Sequence, residues 1–104
     1  MSPYLVIGYS EGGSLRVYSA YASAGLAKQA AEYLMSYVLG YNGVPYTWEL
    51  NPSFTQPRPI AAFPGRAIQG WTNKSWSRDN SEPKTLLIVE LYVSGTLLDR
   101  MAEV

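Results

Sequence analysis

Residues 58–78, RPIAAFPGRAIQGWTNKSWSR, hold the side chains best suited to making contacts. Arg58, Arg66, Lys74 and Arg78 lie there with Trp71 and Trp76, and the stretch contains no acid. Four of the eight cations fall in this segment, so in a chain of zero net charge the remainder carries four net negative charges. Two kinds of chemistry fit. Arginine and tryptophan are the preferred anchors of protein interfaces, and here the partner surface would be acidic. Alternatively, Trp71 and Trp76 stack the bases of a single-stranded nucleic acid while the cations follow its phosphates. Protein is favoured, because four cations without a broader basic field give only modest, steeply salt-dependent affinity for nucleic acid. The plain alternative is a loop pinned by Phe63 and one tryptophan, with its cations left in solvent.

Catalysis has little to draw on. The chain has no histidine and no cysteine. The commonest general base, the thiolate nucleophile, the Ser-His-Asp arrangement and the usual zinc sites are therefore excluded. No cofactor and no metal are expected. Of the carboxylates, Glu49 and Glu90 fall in strand-like stretches. Cross-strand pairing with Arg16 or Lys84 is the ordinary reading of both, and a buried carboxylate of raised pKa is the sharper one. A small-molecule-binding or enzyme domain using tyrosine, arginine and carboxylates in a pocket between sheet and helix is thus a further reading. The glycine pair at Gly12 and Gly13 follows a strand and precedes another, with no lysine after it, so it reads as a hairpin turn and not as a phosphate loop.

Nine tyrosines and three tryptophans are a large aromatic load for 104 residues. Tyr9, Tyr18 and Tyr21 gather around the hairpin, and Tyr9 and Tyr18 join the basic segment as candidate contact residues. Tyr33, Tyr37 and Tyr41 recur every four residues. That spacing suits either core-rim packing with the hydroxyls reaching water or a protein-contact face.

These residues must be placed by a small set of elements. Residues 4–9 and 15–18 read as a hairpin, turned by the glycines. Ser23, with Ser19 as competitor, caps a helix whose apolar positions are Leu26, Ala27, Ala30, Ala31, Leu34, Tyr37 and Val38, a 3.6-residue period. Gly40 is its natural stop, with Asn42-Gly43 behind. Residues 46–50 alternate, which points Tyr46, Trp48 and Leu50 inward. The prolines at 52, 57, 59 and 64 predict an extended connector without ladder bonds. Residues 67–71 form a short strand that turns at 72–74 into 75–78. Residues 84–93 are the strongest strand, apolar on both faces and so central or covered on both sides. Residues 96–103 suit a short closing helix. The fold class is α+β: an antiparallel sheet of about four to six strands, one main helix on one face and a short C-terminal helix.

The length suits a single domain, 1–104. No apolar run approaches the roughly 20 residues of a membrane span. The first residues lack a signal peptide's features, so the expected location is cytoplasmic. The sequon at Asn73-Lys74-Ser75 then reads as a surface turn. A homodimer through an exposed edge at residues 4–9 is possible. The leading functional expectation is a small non-enzymatic protein-binding module. Its size and composition, though no motif, suit an inhibitor of a host macromolecular complex of the kind encoded by viruses or mobile elements.

Overall fold

The computed structural model describes residues 3–10, 14–54, 56, 58–60, 64–75 and 83–92, with backbone alone at 58 and 59. Strands β1 (Tyr4–Tyr9) and β2 (Leu15–Tyr21) form the expected antiparallel hairpin. The helix α1 (Ala24–Tyr33) follows, then a π-helical turn, Leu34–Val38. Two-residue strands β3 (Gly40–Tyr41) and β4 (Val44–Pro45) make a separate small sheet. Next come β5 (Trp48–Leu50), a 3-10 turn at Pro52–Phe54, and β6 (Arg58–Ile60). The long strands β7 (Gly65–Asn73) and β8 (Thr85–Leu91) complete the described fold. The architecture is α+β, with one main helix against an antiparallel sheet ordered β2-β1-β8-β7-β5 and β6 also paired to β7.

β8 is central, as its two apolar faces require. Leu86 and Ile88 point to the helix side and join Val6, Ala27, Ala31, Leu39, Tyr46 and Trp71. Leu87 and Val89 point the other way and join Leu5 and Ile7, with Phe54 and Ile60 packed against them. Because β8 inserts beside β1, residues 4–9 are paired on both sides and are not an edge. The long edge on that side is β2, where Tyr18 is an extra residue between Val17 and Ser19 in the register. Such bulges twist an edge away from further pairing.

The helix begins where its cap dictates. Ser23 is extended, and its Oγ accepts the Leu26 N–H at 3.2 Å. Ser19 is instead in β2, its hydroxyl 2.7 Å from that of Tyr21. Ala27 and Ala31 are fully buried, since a methyl group lets the helix lie close to the sheet. The wide turn then changes the register. The Leu39 N–H donates to the Leu34 carbonyl, five residues back. The next inward position passes from Val38 to Leu39, which is buried, and Val38 and Tyr37 turn to solvent. Leu26, expected inward, is also exposed. Gly40 does not serve as a left-handed cap; any Cβ there would collide with the Val44 carbonyl across the small hairpin. Asn42 and Gly43 take the positive φ values, 53° and 79°, of a two-residue turn.

Three further expectations are corrected. The proline-rich connector makes ladder bonds: β6 pairs with β7, and Pro59 is tolerated because β6 is an edge. Leu50 is exposed, because α1 packs over β1, β2 and β8 and leaves β5 at the margin. The turn expected at 72–74 comes later: Thr72 and Asn73 continue β7, in register with β5 and, at Thr72, with β8, and the turn is at Lys74 and Ser75. Residues 76–78 and the expected helix at 96–103 lie outside the described residues.

Candidate functional site

The basic segment does not assemble into one surface. Arg66 and Trp71 are five residues apart on β7, which by simple alternation would put them on opposite faces. A bulge leaves Ile68 without a counterpart on β8, and both side chains come to the helix face. There they have different fates. Trp71 is 8% exposed and packs in the core under the helix, so its ring is not available to stack a base or fill a partner's pocket. The contact role expected of it is corrected on that ground. Arg66 Nη2 lies 3.5 Å from Glu90 Oε1, while its Nε has no partner. Lys74 Nζ lies 3.9 Å from Glu49 Oε2, both well exposed. Each acid thus faces a cation of the segment in place of the expected Arg16 or Lys84. Arg58 is in β6, with only its backbone described, and Trp76 and Arg78 lie outside the described residues.

Tyr9 and Tyr18 fall on opposite faces of the sheet, Tyr9 against the Ile7 cluster and Tyr18 against the helix-side core. Asn73 is 3% exposed, with Nδ2 donating to the Pro83 carbonyl at 3.4 Å. The sequon therefore includes an exposed turn at Lys74 and Ser75, but its asparagine is interior.

Tyr4 and Tyr9 have perturbed acidity. Tyr4 donates to Glu90 Oε2 at 3.1 Å, and this bond, then burial, raises its pKa. Burial raises that of Tyr9. The folded state thus keeps protons that the unfolded chain releases near pH 10. This contribution to stability is fully present below about pH 10 and is lost as pH climbs from there through the raised folded values. In a tyrosinate absorbance titration we expect a late-ionising fraction that shrinks in Tyr9→Phe. All nine tyrosines titrating as one ordinary population would contradict the burial of Tyr9.

The surface the structure does assemble is uncharged. Residues 33–48 contain no Asp, Glu, Lys or Arg. Tyr33, Tyr37 and Val38 project from the end of the helix, and Tyr41 and Val44 from the β3–β4 hairpin; Tyr37 is 77% exposed and Tyr41 68%. The Tyr33 and Tyr37 rings lie 5.3 Å apart at 40°. Tyr37, Val38, Val44 and Pro45 border a hollow of about 100 Å³. Tyr41 and Val44 are direct partners in the hairpin. These five side chains form a continuous apolar patch with hydroxyl groups along it. The signal in the sequence is the four-residue tyrosine spacing; the outward turn of Val38 is not visible there, because it follows from the π turn.

With no histidine and no cysteine in the chain, catalysis by either is not open to these residues. Glu49 borders a surface groove of about 190 Å³ beside Lys74 and Thr72, open to solvent. No group of three or more metal-ligating side chains occurs among the described residues. None of the described helices is long and apolar enough to cross a membrane. Fold and surface together define a small α+β protein with an uncharged aromatic face at the end of its helix. No known protein family, curated protein or solved structure matches the chain.

Proposed function

We propose that this chain is a non-enzymatic protein-binding module whose contact face is the surface of Tyr33, Tyr37, Val38, Tyr41 and Val44. The observation that carries this reading is the exposure of five large apolar or aromatic side chains on an uncharged stretch. Contiguous patches of this kind are unusual on soluble monomers and mark interaction sites. Tyrosine suits the role, giving a rigid ring and a hydroxyl that can bond a partner's carbonyl. The face has no charge to match an acidic partner. Arg66 and Lys74 already face acids of their own chain, which reduces what an acidic surface would gain from them. Binding of single-stranded nucleic acid is weakened as a reading by the burial of Trp71. Inhibition of a larger complex is the form of this reading suggested by size and composition, acting by occupation of a partner's surface.

The test is a capture experiment from the native cells, repeated with a Tyr33→Ala, Tyr37→Ala, Tyr41→Ala variant. These side chains are exposed, so stability should change little. A partner retained by the parent chain should bind the variant at least about tenfold more weakly, as expected when even one interface anchor is lost. Equal retention by both proteins would reject this face as the contact site.

A further inference from the structure

We propose that the hollow at the hairpin end of β1 and β2 is a binding site for a small organic anion, a carboxylate on a planar apolar body. The hollow measures about 360 Å³ and is lined by Gly8, Ser10, Ser14, Leu15, Arg16, Tyr18 and Pro83. That volume is within the range of small-ligand sites, roughly 300–1,000 Å³. It lies away from the tyrosine face, so this proposal does not depend on the reading above.

Among the described residues of the lining, Arg16 is the one charged side chain. Arg16 is exposed and makes no ion pair with a described residue; its guanidinium stands 5.9 Å from the centroid of the Tyr18 ring. At that distance the contact with the ring is a loose one, and the planar fork of donors on a guanidinium suits a carboxylate, which it can grip through two bonds. Ser10 Oγ accepts the Ser14 N–H at 3.1 Å, which orients that hydroxyl and leaves its own proton to donate. The body of the ligand has a matching floor. Gly8 carries no side chain, and a Cβ there would stand 2.9 Å from Pro83 Cβ and 3.0 Å from Tyr18 Cε2. The proline and tyrosine rings therefore close directly over the strand and offer flat apolar surface beside the cation. An anion alone would use half of this site, and a neutral ring the other half.

The probes are benzoate, benzamide and inorganic phosphate, titrated into the isotopically labelled full chain while backbone amide resonances are followed. Benzoate is expected to give saturable shifts at Gly8, Ser10, Ser14 and Arg16, with benzamide and phosphate each at least about tenfold weaker. Arg16→Ala should reduce benzoate affinity at least about tenfold, with an unchanged amide spectrum away from the hairpin showing that it folds. Arg16→Lys, which keeps the charge without the fork, should fall between. The proposal is overturned if benzoate shows no saturation by about 10 mM, tenfold above a Kd of about 1 mM. It is also overturned if phosphate or benzamide matches benzoate, or if Arg16→Ala binds as the parent does.

Discussion

Trp71→Ala should lower the free energy of unfolding by about 3–5 kcal/mol, the usual cost of emptying a buried aromatic site. The indole is 8% exposed and packs with Leu86, Ile88, Ala27 and Ala31, so truncation leaves a cavity between sheet and helix. The neighbours cannot collapse into it easily, because Leu86 and Ile88 are held in the central strand and the alanines have no side chain to extend. A domain of this size has a total stability of about 5–15 kcal/mol, so the variant should lose a large share of it. Urea unfolding is the measurement, with the midpoint falling at constant slope. A midpoint within error of the parent's would mean that the ring is not in the core. The same experiment separates the two roles the sequence allowed for this residue. A contact residue on the surface would lower binding and leave stability alone.

Gly70→Ala is the second large effect, and it acts on the other side of the same strand. A Cβ at Gly70 would stand 2.5 Å from Phe54 Cβ and 2.6 Å from Leu87 Cδ2. Neither neighbour can withdraw freely. Phe54 is held by the 3-10 turn, where its N–H donates to the Asn51 carbonyl at 3.0 Å, and the Asn51 N–H donates to the Gly70 carbonyl at 2.9 Å. Leu87 belongs to the buried cluster on that face. Overpacking of this kind costs about 1–3 kcal/mol, and the upper part of that range is expected here because one clashing atom is a Cβ close to the backbone. Phe54→Ala does not remove that Cβ, so its rescue of Gly70→Ala should be partial; Phe54→Gly should rescue it further. A double-mutant cycle by chemical denaturation measures the coupling, expected at about 0.5–3 kcal/mol in favour of the doubles. Strict additivity would show that the 3-10 turn does not press on β7.

Much of the framework is legible in the sequence because it rests on local physics. The glycine pair between two β-rich runs specifies the first hairpin. Ser23 specifies the start of the helix through a hydroxyl three residues from its bonding partner. Residues 84–93 announce a central strand because no exposed strand carries apolar groups on both faces. The misplacements share one cause. Leu50, Tyr37 and Val38 were assigned by a regular period, and each lies where the period breaks or where the covering layer ends. The bulge at Ile68 reverses parity along β7, and the π turn at Leu34–Val38 advances the helix register by one residue. One residue of slip moves a side chain from core to solvent.

The candidate sites divide along the same line. The tyrosine spacing at 33, 37 and 41 and the absence of charge from 33 to 48 are properties of the chain itself. So is the exclusion of histidine and cysteine chemistry, since residues that are absent cannot be supplied by folding. Whether those tyrosines face outward, whether Trp71 is a contact or a core residue, and whether Arg66 is free or paired with Glu90 were decided by the tertiary structure. Composition and short spacing depend on neighbours a few positions away. Burial and pairing depend on strands that meet from distant parts of the chain, and irregularities such as the bulge and the wide turn persist only because that long-range packing offsets their local cost.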